Sequence, residues 1–348
     1  MSHTSISFRS DNDWGASPAI LAAVAACNAD TARPYGADPW TGRARQRLCE
    51  VFGREVEVLL LATGTAANSI SLAAMSPRWG SIVCHRHAHV LADECGAPEF
   101  FTGGARLVPS ASAGSKLDPA CVRGELAIGK GDVHCVQPSA VSITQCTEDG
   151  NVYSPEEVAA VSAVCRESGA LLHMDGARFA NALVSIGCTP AELTWRAGVD
   201  VLSFGATKNG ALGAEAVLFF DPARAADFEW RRKRAGHLLS KMRYVSAQLL
   251  AYLEDGLWLR NAARANALAR RLGAAAGPLL RHPVEANEVF IKAGDSPIAQ
   301  LRAAGFEFYD WGAEGSGEAR FVVSWDQPED DVAALERALA GIRRTPAG

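Results

Sequence analysis

The sequence predicts an α/β fold: a mainly parallel, seven-stranded sheet in a large domain, followed by a small C-terminal α+β domain. Short apolar runs alternate with helix-like stretches from about residue 53 to 221, which is typical of a parallel sheet covered by helices on both faces. Residues 223–280 have a nearly continuous helical pattern rich in Ala, Leu and Arg. After Pro283, strand-like and helix-like segments indicate a second, smaller unit.

Seven apolar runs are the candidate strands of the large sheet. They are residues 56–61, 81–84, 105–108, 134–137, 171–174, 199–204 and 216–220. The small domain is expected to contain strands at 287–293 and 320–325 and helices at 296–304 and 329–343. We therefore assign residues 31–250 to the large domain and 251–348 to the small domain. Residues 1–30 form an N-terminal segment expected to pack with the small domain.

The first predicted strand ends at a turn of small residues that contains Gly64 and Thr65 and leads into a helix through Asn68. Backbone N–H groups at the start of a helix bind anions, and the helix dipole strengthens that attraction. The turn has neither the lysine of a P-loop nor a GxGxxG pattern, so nucleotide binding is the weaker interpretation. A single phosphate ester fits the turn better.

Two charged residues follow buried strands farther along the chain. Asp175 ends the strand 171–174, and Lys208, one of six lysines, follows the strand 199–204. Open α/β sheets place their chemistry at the carboxyl ends of their strands. An aspartate there can keep a pyridinium nitrogen protonated and a buried lysine can attack a carbonyl, so the pair indicates a pyridoxal phosphate (PLP) enzyme. Taken singly, Asp175 also suits a helix N-cap and Lys208 an ordinary loop.

Composition excludes several other classes of protein. The net charge of −5 argues against nucleic acid or an anionic membrane as a partner. No apolar run is long enough to span a bilayer, and the N-terminus lacks the apolar core of a signal peptide. Nine cysteines without CxxC or Cys–His spacing predict reduced thiols in a cytoplasmic protein and no metal site.

Eight short motifs, in this order and spacing, resemble those of the low-specificity L-threonine aldolases, which are PLP enzymes of the aspartate aminotransferase fold (fold type I). The resemblance extends over essentially the whole chain. The motifs are Arg9-Ser-Asp11, Tyr35-Gly-Ala-Asp-Pro39, and residues 64–68, 88–100, 142–148, 175–178, 203–209 and 320–326.

The resemblance implies a carbon–carbon lyase that cleaves L-threonine, L-allo-threonine and related L-3-hydroxy-α-amino acids, including phenylserine, to glycine and an aldehyde. PLP would be bound covalently as an internal aldimine at Lys208, and Asp175 would contact the ring nitrogen. The other residues implied at the cofactor are Gly64, Thr65, Asn68, His89, Arg178 and Thr207, with Thr207 at the phosphate. The chain would form a homo-oligomer, a dimer or tetramer, with active sites at the subunit interface.

The resemblance also implies residues for catalysis and substrate binding. His89 would stack on the cofactor and accept the β-hydroxyl proton, and Asp93, one helical turn later, would orient its imidazole. Glu148 stands where the family often has a second histidine and is another candidate base. The substrate carboxylate would be bound by Ser10, Arg178 and Arg320, and Tyr35 would approach the site from a neighbouring subunit.

Several alternatives stay open on the sequence alone. His89 is also compatible with a capping role, and Arg320 with a surface position at a strand start. Trp311, in a glycine-rich stretch, suits either an aromatic wall for bulky aldehydes or ordinary packing. Other functional classes are another fold type I enzyme (a phenylserine-selective aldolase, a β-eliminating lyase or an aminotransferase), a non-catalytic PLP-binding module, and a nucleotide-dependent dehydrogenase.

Overall fold

The computed structural model describes residues 5–313 and 315–344. The strands in this part of the chain are β1 (Ile6–Ser7), β2 (Glu57–Leu61), β3 (Gly80–Cys84), β4 (Arg106–Pro109), β5 (Gln137–Thr144), β6 (Leu171–Gly176), β7 (Val201–Gly205), β8 (Glu215–Phe219), β9 (Glu288–Lys292), β10 (Phe306–Glu307), β11 (Tyr309–Asp310) and β12 (Glu318–Val322).

The α-helices of the described residues surround these strands. They are α1 (Pro18–Ala26), α2 (Pro39–Phe52), α3 (Gly64–Met75), α4 (His89–Ala92), α5 (Ala97–Thr102), α6 (Pro119–Ala127), α7 (Pro155–Ser168), α8 (Phe179–Ile186), α9 (Pro190–Leu193), α10 (Phe228–Arg234), α11 (Arg243–Leu253), α12 (Leu257–Ala276), α13 (Asp295–Ala303) and α14 (Glu329–Arg344). Within the described residues, no helix combines the length and apolar character that a membrane span requires.

Seven strands form one sheet in the spatial order β2-β8-β7-β6-β5-β3-β4. Only β8 runs antiparallel to its neighbours, β2 and β7, and all other neighbouring pairs are parallel. This arrangement confirms the predicted seven-stranded, mainly parallel sheet. It also brings the carboxyl ends of β3, β5, β6 and β7 to one edge, where the expected site residues follow.

One predicted strand is displaced. Residues 134–137 were expected to be extended, but β5 covers Gln137–Thr144, and the segment before it is a turn. The Gln137 side chain stabilises that turn, since its amide nitrogen donates to the carbonyl oxygens of Gly129, Asp132 and Cys135, each at 3.0 Å. These local hydrogen bonds compete with the sheet for residues 129–136, and pairing with β3 begins only at Gln137.

A second, three-stranded antiparallel sheet has the order β11-β12-β9. Its core includes residues of α12, α13 and α14, together with Phe8 near the N-terminus. Strand β1 pairs in parallel with β10, whereas α1 packs against α11 of the larger unit. Helix α12 contributes to both cores, Trp258 to the larger and Leu268 to the smaller. The domain boundary near residue 250 therefore stays a prediction.

The large sheet has an apolar core on each face, and β7 contributes to both through alternating side chains. Leu202 and Phe204 face one core and Val201 the other. Phe204 is completely buried and is the centre of an aromatic cluster four residues before Lys208. Its ring lies within 6.1 Å, centroid to centroid, of the rings of Phe52, Phe179, Tyr252 and Trp258.

We expect Phe204→Ala to lower the free energy of unfolding by about 3–5 kcal/mol, because it leaves a cavity among four aromatic rings. Urea unfolding followed by tryptophan fluorescence measures this loss. Val133→Ala is the control, since Val133 is 91% exposed and its truncation should change stability by less than about 0.5 kcal/mol. Equal effects of the two substitutions would contradict the assignment of Phe204 to the core.

Candidate active site

The site is centred on Asp175, the last residue but one of strand β6. Asp175 is 4% exposed, and its neighbours across the sheet are Thr144 on β5 and Ser203 on β7. One carboxylate oxygen accepts a hydrogen bond from the Ala177 N–H at 3.0 Å, and the other accepts from Asn68 Nδ2 at 2.8 Å. Asp175 is not the cap of the following helix, because α8 begins at Phe179 with Arg178 as its N-cap.

Lys208 lies in a short 3-10 turn, Thr207–Asn209, three residues beyond the end of β7. Gly210 ends this turn with a φ of +111°, a conformation that L residues rarely adopt. The turn packs against another 3-10 turn, Asp11–Asp13. Among the described residues, the Lys208 amine forms neither a hydrogen bond nor an ion pair, so it is available to react.

A chain of hydrogen bonds connects Asp175 to His89. Asn68, on α3, donates from Nδ2 both to Asp175 and to Glu94 Oε1, the latter at 2.9 Å. Glu94 Oε1 also bonds His89 Nδ1 at 2.9 Å. Glu94 is 3% exposed, and burial raises the pKa of its carboxyl group. The carboxamide of Asn68 therefore joins the carboxylate of the strand edge to the histidine.

The prediction that Asp93 orients His89 is wrong, because Glu94 has that role. The i,i+4 argument assumed a helix that continues past residue 92, but α4 ends at Ala92. Asp93 is its C-cap, with a non-helical φ of −127°, and its side chain is exposed. The turn directs the next residue, Glu94, into the interior instead.

The contact with Glu94 sets the tautomer and charge of His89. A carboxylate can only accept, so Nδ1 carries the proton and Nε2 holds the free lone pair in the neutral ring. The hydrogen bond to Glu94 is the main cause that raises the pKa of His89 above its usual value. The side chain is 41% exposed, and Nε2 has no hydrogen-bond partner within the described residues. Nε2 is therefore free to accept a proton.

Glu148 lies beside His89 but contacts its backbone. Glu148 Oε1 accepts from the His89 N–H and from Thr144 Oγ1, both at 2.8 Å. Burial raises the pKa of Glu148 to about 7, although these two donors favour its charged form. The geometry anchors the start of α4 to the end of β5, and the other carboxylate oxygen remains available as a proton acceptor.

Arg178 and Arg320, which were predicted to bind the substrate carboxylate, meet at carboxylates of the chain itself. The Nε and Nη2 atoms of Arg178 bind the two oxygens of Asp11 at 2.8 and 3.1 Å. Glu288, whose side chain is fully buried, lies 3.5 Å from Arg178 Nη1 and 3.8 Å from Arg320 Nη1. The bidentate edge of Arg178 is thus already used, whereas Arg320 Nε has no partner among the described residues.

The turn predicted to bind a phosphate leads directly into a helix. Gly64 and Thr65 open α3, and the Thr63 hydroxyl caps it by accepting from the Ala66 N–H at 3.3 Å. Thr207, in contrast, donates its hydroxyl proton to Glu215 at 2.5 Å, so that proton is not free for a phosphate in this arrangement. Burial raises the pKa of Glu215 to about 7.

Two of the predicted site residues, Ser10 and Tyr35, remain to be placed. Ser10 Oγ accepts from the Asn12 N–H at 3.1 Å, which caps the turn that carries Asp11. Tyr35 is 50% exposed, with a left-handed backbone (φ +58°), and its ring lies 4.6 Å from Lys233 Nζ. Its contacts within the chain do not bring it to the strand edge.

Four buried carboxylates of the site were not singled out from the sequence: Asp11, Glu94, Glu215 and Glu288. Asp11 and Glu94 lie inside motifs on which the family resemblance rests, so their positions in those motifs could have identified them as candidate site residues. Glu215 and Glu288 start strands β8 and β9, and nothing in their local sequence distinguishes them from surface residues.

Comparison with known proteins assigns this arrangement to a family. Residues 7–295 match the model of the beta-eliminating lyases. The low specificity L-threonine aldolase of Pseudomonas sp. (strain NCIMB 10558) is 48% identical over 346 residues, which are 98% of this chain and 99% of that protein. The chain belongs to the beta-eliminating lyase family and, within it, to the low-specificity L-threonine aldolases.

Solved structures agree with this membership, which also makes the chain a lyase. A threonine aldolase from Leishmania major superposes with a TM-score of 0.89 at 28% identity, covering 97% of this chain and 99% of that one. An aspartate aminotransferase from Rhodobacter sphaeroides 2.4.1 superposes with a TM-score of 0.72 at 19% identity, covering 99% and 94%. The second likeness concerns the fold alone. The family and the fold type predicted from the motifs are confirmed.

We expect Glu94→Gln to lower the pKa of His89, because the amide removes the negative charge that stabilises the imidazolium. Histidine side-chain NMR across a pH titration measures this pKa directly, without reference to activity. Asp93→Asn is the matched control and should leave the titration of His89 nearly unchanged. A larger effect from Asp93→Asn than from Glu94→Gln would restore the original assignment.

Proposed function

We propose that the chain catalyses PLP-dependent retro-aldol cleavage of L-threonine, L-allo-threonine and related L-3-hydroxy-α-amino acids to glycine and an aldehyde. The observation that carries this proposal is the convergence of Asp175, Lys208 and His89 at one edge of the sheet. They supply a buried carboxylate, an unpaired amine and a histidine with a free nitrogen. Membership in the threonine aldolases supports the same substrates.

The residues at this edge suit PLP. When bound, the cofactor supplies a protonated ring that accepts the electron pair of the broken Cα–Cβ bond. Lys208 would hold the cofactor covalently, and Asp175, fixed by Asn68, would keep the ring nitrogen protonated. The backbone N–H groups of Gly64 and Thr65 would bind the phosphate at the N-terminus of α3. The buried Oδ1 atom of Asn68 has no partner among the described residues, so it is one further hydrogen-bond acceptor at this edge of the sheet.

His89 is the residue that we assign to proton removal from the substrate β-hydroxyl. Its Nδ1–H···Glu94 bond leaves Nε2 as the acceptor and stabilises the imidazolium that forms when the proton is taken up. Glu148 would fix the position of His89 through its backbone N–H. Glu148 would be the alternative base if proton removal did not require His89.

The substrate carboxylate would bind chiefly to Arg320. A planar guanidinium pairs best with a carboxylate through two parallel bonds, and Arg178 has already formed such a pair with Asp11. Arg178 would then contribute charge through Nη1, and Ser10 would add a hydroxyl donor. This assignment gives the two arginines different roles, which their similar motif positions did not indicate.

We also propose a homo-oligomer, a dimer or tetramer, in the cytoplasm. Exposed Phe100 and Trp230, at 78% and 73%, border a groove of about 740 Å³ suited to a second copy of the chain. A neighbouring copy would bring its Tyr35, which is exposed and has a left-handed backbone, to the site. All nine cysteines are free thiols, which suits a reducing compartment.

The purified protein should release glycine from L-threonine, L-allo-threonine and phenylserine and should show a visible absorption band of bound PLP. Lys208→Ala should abolish turnover and the borohydride-stable attachment of PLP, because Lys208 is the amine that follows β7 at this edge. Peptide mass mapping after borohydride treatment checks the attachment, and Lys130→Ala is the control. Attachment at another lysine would show that the wrong residue had been assigned, and pyruvate in place of glycine would indicate a β-eliminating enzyme.

His89→Asn should lower kcat by about 10²–10⁴-fold, the usual contribution of a positioned general base. The base acts when Nε2 is unprotonated, so the wild-type rate should rise with pH through the raised pKa of His89 and this limb should vanish in the variant. Stopped-flow assays across pH measure both effects. Glu148→Gln should keep the limb. Loss of a limb near pH 7 in Glu148→Gln, with His89→Asn unaffected, would identify Glu148 as the base.

A further inference from the structure

A hydrogen bond connects the small sheet to the loop after β5 beside the proposed carboxylate site. Trp311, between β11 and β12, donates from Nε1 to Asp149 Oδ1 at 3.1 Å. Asp149 directly follows Glu148, which bonds His89. Both side chains of the 3.1 Å bond are only partly exposed, so the interaction is neither a free surface contact nor a core contact.

Trp311 also forms a wall for Arg320. The Arg320 guanidinium carbon lies 5.4 Å from the centre of the Trp311 ring and 5.8 Å from that of Tyr309. On the inner side, Arg320 has only weak polar contacts, at 3.4 Å to the Arg9 carbonyl and 3.8 Å to Glu288. No short hydrogen bond within the described residues fixes the guanidinium, so the aromatic wall contributes much of its orientation.

The bond to Asp149 is what fixes that wall. Edge-to-face packing on Phe290, with 5.0 Å between centroids, restrains the ring of Trp311, and its backbone N–H bonds the Glu318 carbonyl at 3.0 Å. The carboxylate of Asp149 holds the indole edge and so selects one rotation of the side chain. Without it, the indole can turn about its side-chain torsions while the packing on Phe290 remains apolar and non-directional.

We propose that the Trp311–Asp149 hydrogen bond positions Arg320 for the α-carboxylate of the amino acid substrate, which makes Trp311 and Asp149 positioning residues. This inference rests on the proposed role of Arg320. The bond joins the three-stranded sheet to the loop after β5 of the seven-stranded sheet, where the substrate would be held. It therefore affects how tightly the substrate is bound, and not the proton transfer at His89.

A double-mutant cycle tests the bond itself. Trp311→Phe removes the indole N–H but keeps an aromatic ring, and Asp149→Ala removes the acceptor. Each should raise KM for L-threonine by about three- to tenfold, the range expected for part of a charge-assisted hydrogen bond, with kcat within about twofold of wild type. The double variant should have nearly the same KM as either single variant, because both remove one interaction. The pH–rate profile should not move.

The chain contains a matched control. Trp195 also donates its indole N–H, to the Phe52 carbonyl at 2.9 Å, but it lies just before β7 and so at the opposite edge of the sheet. Trp195→Phe should leave KM unchanged. Thermal melting verifies folding, and Asp149→Leu, which nearly keeps the size of the side chain but has no acceptor atom, replaces Asp149→Ala if the latter is unstable.

The outcomes separate this inference from the function on which it rests. Arg320→Gln should raise KM more than either positioning variant. If it does, but Trp311→Phe and Asp149→Ala bind L-threonine normally, the positioning role is overturned and the carboxylate site stands. Additive effects of the two variants would also overturn it, since they would act independently. If Arg320→Gln leaves KM unchanged, the proposed carboxylate site is itself wrong.

Discussion

The rest of the site depends on a carboxylate that is buried at the end of a parallel strand. Asp175 is removed from water at the edge where β5, β6 and β7 end together, and removal of a charge from water is costly unless the group is hydrogen-bonded and paired. Asn68 and the Ala177 N–H satisfy its oxygens. A protonated ring nitrogen would supply the opposite charge. Binding of the cofactor would therefore also stabilise the buried carboxylate of Asp175.

From Asp175 the polar contacts extend outward in one direction, through Asn68 and Glu94 to His89. Each residue in this series is hydrogen-bonded to the one before it. The burial of Glu94 strengthens its hydrogen bond to the imidazole, because the surrounding dielectric constant is low. His89 is the first member with substantial exposure. The chain thus ends in a nitrogen that can reach a substrate while its other nitrogen is fixed, which is the arrangement that a general base needs.

A second cluster balances charge on the other side of the site. Two arginines, Arg178 and Arg320, meet two buried carboxylates, Asp11 and Glu288, and within the described residues the Nε atom of Arg320 has no partner. Each charge is matched before a substrate enters, so the cluster can be buried without it. In the proposed function, the substrate carboxylate would compete for Arg320, whose polar contacts are weak, and not for Arg178, whose bidentate pair is strong.

The order of apolar runs and motifs in the sequence was enough to predict the large sheet and the family. Apolar runs between helical patterns predicted the parallel strands, and because such strands share a carboxyl edge, Asp175 and Lys208 could be placed together without coordinates. Prediction from local sequence was wrong at two positions where a side chain formed a hydrogen bond that the local pattern did not indicate. Gln137 stabilised a turn in place of a longer strand, and the end of α4 turned Glu94 inward in place of Asp93. The partners of Arg178, Arg320 and Trp311 could not be predicted, because Asp11, Glu288 and Asp149 approach them from distant parts of the chain. Such long-range pairings depend on how the seven-stranded and three-stranded sheets pack together, which a local sequence pattern does not predict.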